Sequence, residues 1–364
     1  MKSTSLFIIN DGVYPYHTGG MEVFNYYLIK ALNDRSAVSY LASEKYDFDG
    51  PHYIKLPKLP LTRITTPLFA FLYLLFHRDI SRVVLSFSSG HWLMWHLYYW
   101  IIKLLNLQAT VVVHYGKSIP EDHHATYMKL LNQASTVVAV SNDIKRNYDE
   151  AYGINCKVVY PLIPFALSDK DKMQLRDMYR IPHDATVFVM VGSLKSMKNP
   201  DTVLHAVSSM TVEEIQRLNP FIVYAGDGPM RNELEVLVAD MTLQDRVCML
   251  GMIPNNMVKE IMAMSDVYII SSDFEGTSVS LLEAMYNSKV IISSDVPGLR
   301  DMVSNNHTGL LFTVKDESSL KESMLRCVKL EDLSDSLAKN ARMDFDKRYN
   351  YDEMVTEYLR LITK

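Results

Sequence analysis

Two carboxylates, Glu275 and Glu283, bracket the stretch Asp273-Phe274-Glu275-Gly276-Thr277-Ser278-Val279-Ser280-Leu281-Leu282-Glu283. The apolar run Val267–Ile270 before it reads as a buried strand, the pattern from about Val279 to Tyr286 as a helix, with Gly276 in the turn between them. Backbone N–H groups and the positive end of a helix dipole meet at such a turn and favour an anion. Carboxylates repel anions, so Glu275 and Glu283 are expected to face hydroxyl groups. A ligand carrying both phosphates and hydroxyls is a nucleotide sugar. Ser280 and Glu283 also have the Ser-x-x-Glu spacing of a capping box, which would account for Glu283 through the helix end alone and leaves Glu275 without such an account.

A second group of residues has complementary chemistry. The predicted strand Thr186–Val191 ends in Gly192-Ser193-Leu194-Lys195-Ser196-Met197-Lys198-Asn199-Pro200, and a helix is expected from near Asp201. Glycine admits backbone to a ligand, and an ammonium before a helix neutralises a diphosphate; an ordinary solvated loop has the same composition. After the strand Phe221–Ala225, Gly226-Asp227-Gly228-Pro229 begins like a dinucleotide fingerprint, but Arg231 stands where the third glycine belongs. That departure argues against a dehydrogenase.

In the first half, His17-Thr18-Gly19-Gly20-Met21-Glu22 leads from the strand Leu6–Ile9 into a helix at about Val23–Leu32, where paired glycines serve a ligand or a plain turn. His114 ends the strand Thr110–His114, a place open to a site residue or to a hydrogen-bonded loop histidine. The tandem His123-His124 points in two directions on its helix and lacks a third ligand at a recognisable spacing, so no metal is expected. Ser141 has the position of a helix cap after the strand Thr136–Val140.

These residues need a scaffold. Further strands are expected at Val38–Ala42, His52–Leu56, Val83–Ser86, Lys157–Tyr160, Val247–Gly251 and Val290–Ser293, and helices near Met257–Met264, Lys321–Leu330 and Asp352–Ile362. Alternation of buried strands with helices predicts α/β architecture with parallel, doubly wound sheets, whose ligands sit beyond the carboxyl ends of the strands. At 364 residues the chain exceeds the usual size of one core. Pro161, Pro164 and the polar run Ser168–Lys172 mark a linker, which divides it into residues 1–165, 166–345 and a C-terminal helix, 346–364, expected to return toward the first domain.

A net charge of -5 gives no general attraction to nucleic acid. Cys156, Cys248 and Cys327 read as reduced core residues, and the short apolar stretch after Lys2 is too brief for a signal peptide, so a cytoplasmic place is expected. The methionines on helical faces read as core filling. Two segments, Pro67–Phe76 and Trp92–Ile102, are unusually greasy, yet Arg63, His77, Arg78 and Lys103 interrupt or bound them short of the roughly 20 apolar residues of a spanning helix. Their aromatic and basic content suits a membrane interface as well as it suits helices packed in a core.

The ordered set Gly192, Lys198-Asn199, Gly226-Asp227-Gly228-Pro229, Val247–Gly251, Glu275 with Glu283, Pro297-Gly298 and Thr308-Gly309-Leu310-Leu311 resembles the family 4 retaining glycosyltransferases with the GT-B fold. The resemblance implies two facing Rossmann-like domains, the acceptor side first and the nucleotide-sugar side second, with the active site in the cleft between them. It implies that Glu275 holds hydroxyls of the donor sugar, Glu283 the ribose, and Gly276, Thr277 and Ser278 the phosphates or sugar. Lys198 would neutralise the leaving diphosphate. Gly19 and Gly20 would face that diphosphate, His114 the transferred sugar, and Gly298 would line the nucleotide pocket. No metal or other cofactor is implied. Ser193 stands where the family usually has arginine, with Lys195 a candidate replacement, and Leu162-Ile163 where it has Asn-Gly. The implied partners are a nucleotide-sugar donor and a glycan or lipid-linked saccharide acceptor; the greasy segments 67–76 and 92–102, where they are not core, suggest peripheral contact at the inner face of a membrane. A nucleotide-sugar epimerase of the same architecture and a catalytically silent partner subunit are the alternatives.

Overall fold

The computed structural model describes residues 5–9, 20–33, 38–42, 53–55, 62–87, 92–114, 121–329 and 331–363. The chain forms two compact units, residues 1–164 with 351–364, and residues 165–350.

The first unit alternates β1 (Ser5–Ile9), α1 (Gly20–Asn33), β2 (Val38–Ala42), β3 (Tyr53–Lys55), α2 (Thr62–Phe76), β4 (Arg82–Phe87), α3 (Trp92–Leu105), β5 (Gln108–Val113), α4 (Glu121–Gln133), β6 (Thr136–Ala139), α5 (Asn142–Tyr152) and β7 (Lys157–Val158). All the strands are parallel, in the order β3-β2-β1-β4-β5-β6-β7. A parallel sheet is covered on both faces, which is why Val111, Val112 and Val113 are consecutive and all buried. Ser141 caps α5 as expected, its Oγ accepting from the Ile144 N–H at 3.2 Å.

The second unit holds α6 (Lys172–Tyr179), β8 (Thr186–Val191), α7 (Asp201–Ser208), α8 (Val212–Leu218), β9 (Pro220–Ala225), α9 (Arg231–Asp240), β10 (Val247–Gly251), α10 (Val258–Met264), β11 (Val267–Ile270), α11 (Val279–Tyr286), β12 (Val290–Ser294), α12 (Pro297–Arg300), β13 (Leu310–Phe312), α13 (Glu317–Lys329) and α14 (Glu331–Arg348). Its strands are again parallel, ordered β10-β9-β8-β11-β12-β13. Met262, Met264, Met285 and Met324 are fully buried, so these methionines do fill core.

The last helix, α15 (Tyr351–Thr363), belongs to the first unit. The carbonyls of a helix's final turn lack intrahelical donors, and side chains of the first sheet supply them here. Ser5 Oγ donates to Ile362 O at 2.8 Å, Thr110 Oγ1 to Leu361 O at 3.2 Å, and the Tyr358 hydroxyl donates to Val159 O at 2.9 Å.

Two element boundaries differ from expectation with a local cause. The strand expected over Lys157–Tyr160 stops at Val158, because Pro161 has no N–H to continue the ladder. The helix expected from Lys321 begins at Glu317, since Asp316 Oδ1 accepts from the Ser319 N–H at 3.0 Å and caps the earlier start. Leu162 and Ile163 are buried.

Candidate functional site

In the second sheet the strand order reverses between β8 and β11, and in doubly wound sheets such a point opens a crevice beyond the strand ends. The two loops leaving those strands carry Gly192 to Lys198 and Ser271 to Glu275. Polar side chains zip them together. Ser271 Oγ shares its proton between Lys198 O at 2.6 Å and Asn199 O at 2.9 Å. Asn199 Nδ2 donates to Ser271 O at 2.9 Å and Asp273 Oδ1 at 2.6 Å, and the Asp273 N–H donates to Met197 O at 2.9 Å. Asn199 adopts φ 44°, a left-handed conformation that asparagine tolerates, and so ends the turn that carries Lys198.

This zipper brings two of the expected site residues into contact. Lys198 Nζ forms an ion pair with Glu275 Oε1, and Ser272 Oγ donates to the same oxygen at 2.8 Å. The side chains are 29% and 12% exposed, so the pair is shielded enough for its attraction to matter and open enough for a ligand to reach it. An open pocket beside it is lined by Gly192, Ser193, Lys198, Tyr268, Ser272 and Ser280 among others. Lys195 is exposed and makes no ion pair among the described residues, so Lys198 is the lysine that meets Glu275.

Gly276, Thr277 and Ser278 form the turn into α11. The capping box that the Ser280–Glu283 spacing allows does not form. Ser278 is the cap, its Oγ accepting from the Leu281 N–H at 3.3 Å, while Ser280 Oγ is 2.7 Å from the Tyr268 hydroxyl. The helix starts two residues earlier than the box requires, which places Glu283 beyond its first turn. Glu283 takes no side-chain hydrogen bond from a described residue, and burial pushes its carboxyl up to about 8. Among the described residues no hydrogen-bond donor explains the carboxyl there.

Gly298 meets the Glu275 loop through its backbone. It is buried in the first turn of α12, with its Cα set against the Glu275 carbonyl so closely that a Cβ would collide with that oxygen. Its place is beneath the Glu275 loop. Gly226 and Gly228 likewise pack on backbone, against Gly192 and Leu194, so the partial Gly-x-Gly is a close approach of two strand ends.

In the first unit His114 follows β5, and Ser86 lies on the neighbouring strand β4. Ser86 Oγ is 2.9 Å from His114 Nε2 and donates to Asn25 Oδ1 at 2.8 Å, while the imidazole packs edge-on against Phe24 with 4.8 Å between ring centroids. Burial pulls the histidine down to about 3, so it is neutral at ordinary pH. Gly20 begins α1, and Gly19 lies outside the described residues. Among the described residues no His, Cys, Asp or Glu cluster could hold a metal ion; the side chains of His123 and His124 lie outside them.

Sequence reasoning missed Ser86, Asn25 and the serine pair Ser271-Ser272, and named Asn199 without a role. The last had a visible signal, two polar residues closing an apolar strand where ligands of such sheets sit. Asn25 and Ser86 had none, since their meeting depends on strand order.

Residues 171–344 match the family model described as "Glycosyl transferases group 1". The N-acetyl-alpha-D-glucosaminyl L-malate synthase of Bacillus anthracis is 26% identical over 231 residues, 63% of this chain and 59% of that protein. A Campylobacter jejuni alpha-1,4-N-acetyl-D-galactosaminyltransferase, named for an acceptor built on PP-undecaprenol, is 30% identical over 177 residues, 48% of this chain and 47% of that protein. The chain thus spans only about half to three fifths of these curated relatives. Among solved structures, Anabaena Alr3699/HepE in complex with UDP superposes with a TM-score of 0.81 at 18% identity, covering 100% of both chains. That likeness is one of fold. The two parallel-sheet α/β units are those of the GT-B fold.

Proposed function

We propose that this chain is a retaining glycosyltransferase of the family 4 type, which moves a sugar from a nucleoside-diphosphate sugar to an acceptor hydroxyl. The observation that carries the reading is the Lys198–Glu275 pair at the strand reversal of the second sheet, inside the segment that matches the group 1 family model. The barrier to transfer is charge separation, as an oxocarbenium-like sugar forms while a diphosphate departs. Lys198 supplies the positive charge for that departure, and Gly276, Thr277 and Ser278 supply backbone at the start of α11. The ion pair gives the lysine a second role. When a diphosphate arrives, the ammonium exchanges Glu275 for phosphate, and the freed carboxylate accepts hydroxyls of the donor sugar. Glu283 takes the ribose, with Gly192 and Ser193 beside the pocket and Gly298 acting through Glu275. Gly19, Gly20 and His114 are the proposed first-unit contacts to the donor. No metal is required in this reading, because lysine and helix dipole do the neutralising.

The acceptor is proposed to be a lipid-linked or surface-polysaccharide saccharide, the class for which the Campylobacter relative is named. Peripheral contact with the membrane holding such an acceptor is part of the same reading. A screen of UDP-sugars and other nucleotide sugars for thermal stabilisation tests the donor half, since a ligand that binds the folded state raises its melting temperature. Stabilisation by at least one of them, lost in Glu275→Ala, is expected, and transfer to an undecaprenol-linked saccharide that persists in EDTA. A flat response to every nucleotide sugar would overturn the reading.

A further inference from the structure

We propose that the outer face of α2 docks on a bilayer surface carrying anionic lipid. Ile64, Leu68, Leu72 and Phe76 recur at four-residue intervals and are 37%, 53%, 43% and 83% exposed, while Thr66, Ala70 and Leu74 are buried. Each four-residue step turns the helix by about 40°, so the exposed four form one continuous band and the buried three lie on the opposite side. A helix on the surface of a water-soluble unit ordinarily turns charge outward. Here the outward band is aliphatic and aromatic along the full length of α2.

The neighbouring helix extends the pattern. α3 packs on α2, exposes Trp100 and Leu104, and holds the Lys103 ammonium 5.3 Å from the Trp100 ring centroid. A tryptophan with a cation over its face, next to exposed aliphatics, is suited to the boundary between acyl chains and headgroups. The exposed large hydrophobics of the second unit, such as Met173, Val212, Val236, Met252 and Met343, are scattered over separate elements, as is ordinary for a protein surface. The apolar band is therefore a feature of one face and not of the composition.

Charge selects the occupant. From Thr62 to Leu105 the sequence has one acid, Asp79, against Arg63, Arg78, Arg82 and Lys103; of the described charged side chains Arg78, Lys103 and Asp79 are exposed, which leaves the face net positive. Anionic headgroups complement such a face, whereas a second copy of this chain would bring like charges together. No described helix is long and apolar enough to cross a membrane, which fits contact along the surface. The inference rests on the proposed function in so far as a lipid-linked acceptor brings the enzyme to a bilayer.

Co-sedimentation of the full chain with phosphatidylglycerol–phosphatidylcholine vesicles, compared with phosphatidylcholine alone, tests this. Binding to the anionic vesicles is expected, with at least about a tenfold loss of affinity in Leu72→Glu/Phe76→Glu, because two large apolar side chains leave the interface. Met252→Glu, an added acid on the second unit, is expected to bind like the parent. A chain that stays in the supernatant, a double variant that binds as well as the parent or only as weakly as Met252→Glu, or a soluble dimer that the double substitution splits would overturn the docking. Melting curves with and without a UDP-sugar on the same preparations keep the readings apart. Loss of vesicle binding with intact donor stabilisation counts against the docking alone, and vesicle binding without stabilisation by any donor counts against the transferase reading alone.

Discussion

Gly298 and Glu275 meet backbone to backbone: the Gly298 Cα lies under the Glu275 carbonyl with no space for a Cβ. The carboxylate loop therefore takes its height from a glycine on α12. Gly298→Ala must lift that loop, and a displacement near 1 Å in a positioned group costs roughly 100-fold in rate. The expected outcome is a turnover loss of about that size with destabilisation of about 1–3 kcal/mol, measured by transfer assay and denaturant unfolding. Gly309→Ala is the control. Its Cβ would stand 2.8 Å from Ile291 O, away from the loop, so stability should fall while turnover per folded molecule holds.

The Lys198–Glu275 pair invites a double-mutant cycle. If the ammonium leaves Glu275 for the donor diphosphate, Lys198→Ala should lower kcat by about 100-fold or more with a smaller change in donor affinity. Glu275→Gln keeps the shape and the Ser272 hydrogen bond but removes the charge, and should weaken donor binding more than Lys198→Ala does. The coupling in stability should stay near 1 kcal/mol, since the pair is partly exposed. Additive effects on kcat would mean that the two side chains do not act in one step.

Much of this arrangement was legible because parallel strands announce themselves as continuous apolar runs, as Val111 to Val113 and Val267 to Ile270 do. Their ends then point to Gly192, His114 and Glu275. What stayed hidden is of two kinds. β13 has three residues and α14 a polar sequence, so neither carries a strong period. The ion pair joins residues 77 positions apart and His114 meets Ser86 across 28, and only strand order makes either pair neighbours. The Ser280-x-x-Glu283 spacing also allowed a capping box, and Ser278, equally able to cap, took that place. Gly226-x-Gly228 is an incomplete dinucleotide fingerprint for a nonlocal reason, since its close approach is to another strand end.

The half-buried His114 predicts acid sensitivity. Burial pulls its pKa from 6.5 to about 3 in the folded chain, so between those values the unfolded chain takes up a proton that the folded chain refuses. The group's contribution to stability is present above pH 6.5 and is lost as pH falls toward 3. Melting temperature measured over that range should therefore drop less steeply in His114→Gln than in the parent, even though the variant starts lower at pH 7 for want of its Ser86 contact. Parallel curves would mean that His114 takes its proton with the fold intact.

Glu283 predicts the opposite slope. Its carboxyl is pushed from 4.5 up to about 8 by burial, so the folded chain holds a proton that the unfolded chain has released. Stability from this group is fully present below about 4.5 and is lost as pH rises through about 8, and Glu283→Gln should flatten that part of the profile. Ligand binding should show the same proton. If ribose hydroxyls donate to Glu283, they favour the ionised form, so nucleotide binding near pH 7 releases a proton and tightens as pH approaches 8. Isothermal titration in buffers of different ionisation enthalpy measures that release directly. In Glu283→Gln the release should vanish and the affinity should lose its pH dependence over the same window. Binding by the parent with no proton release would place the ribose elsewhere and leave Glu283 a neutral, half-buried acid with no part in holding the donor.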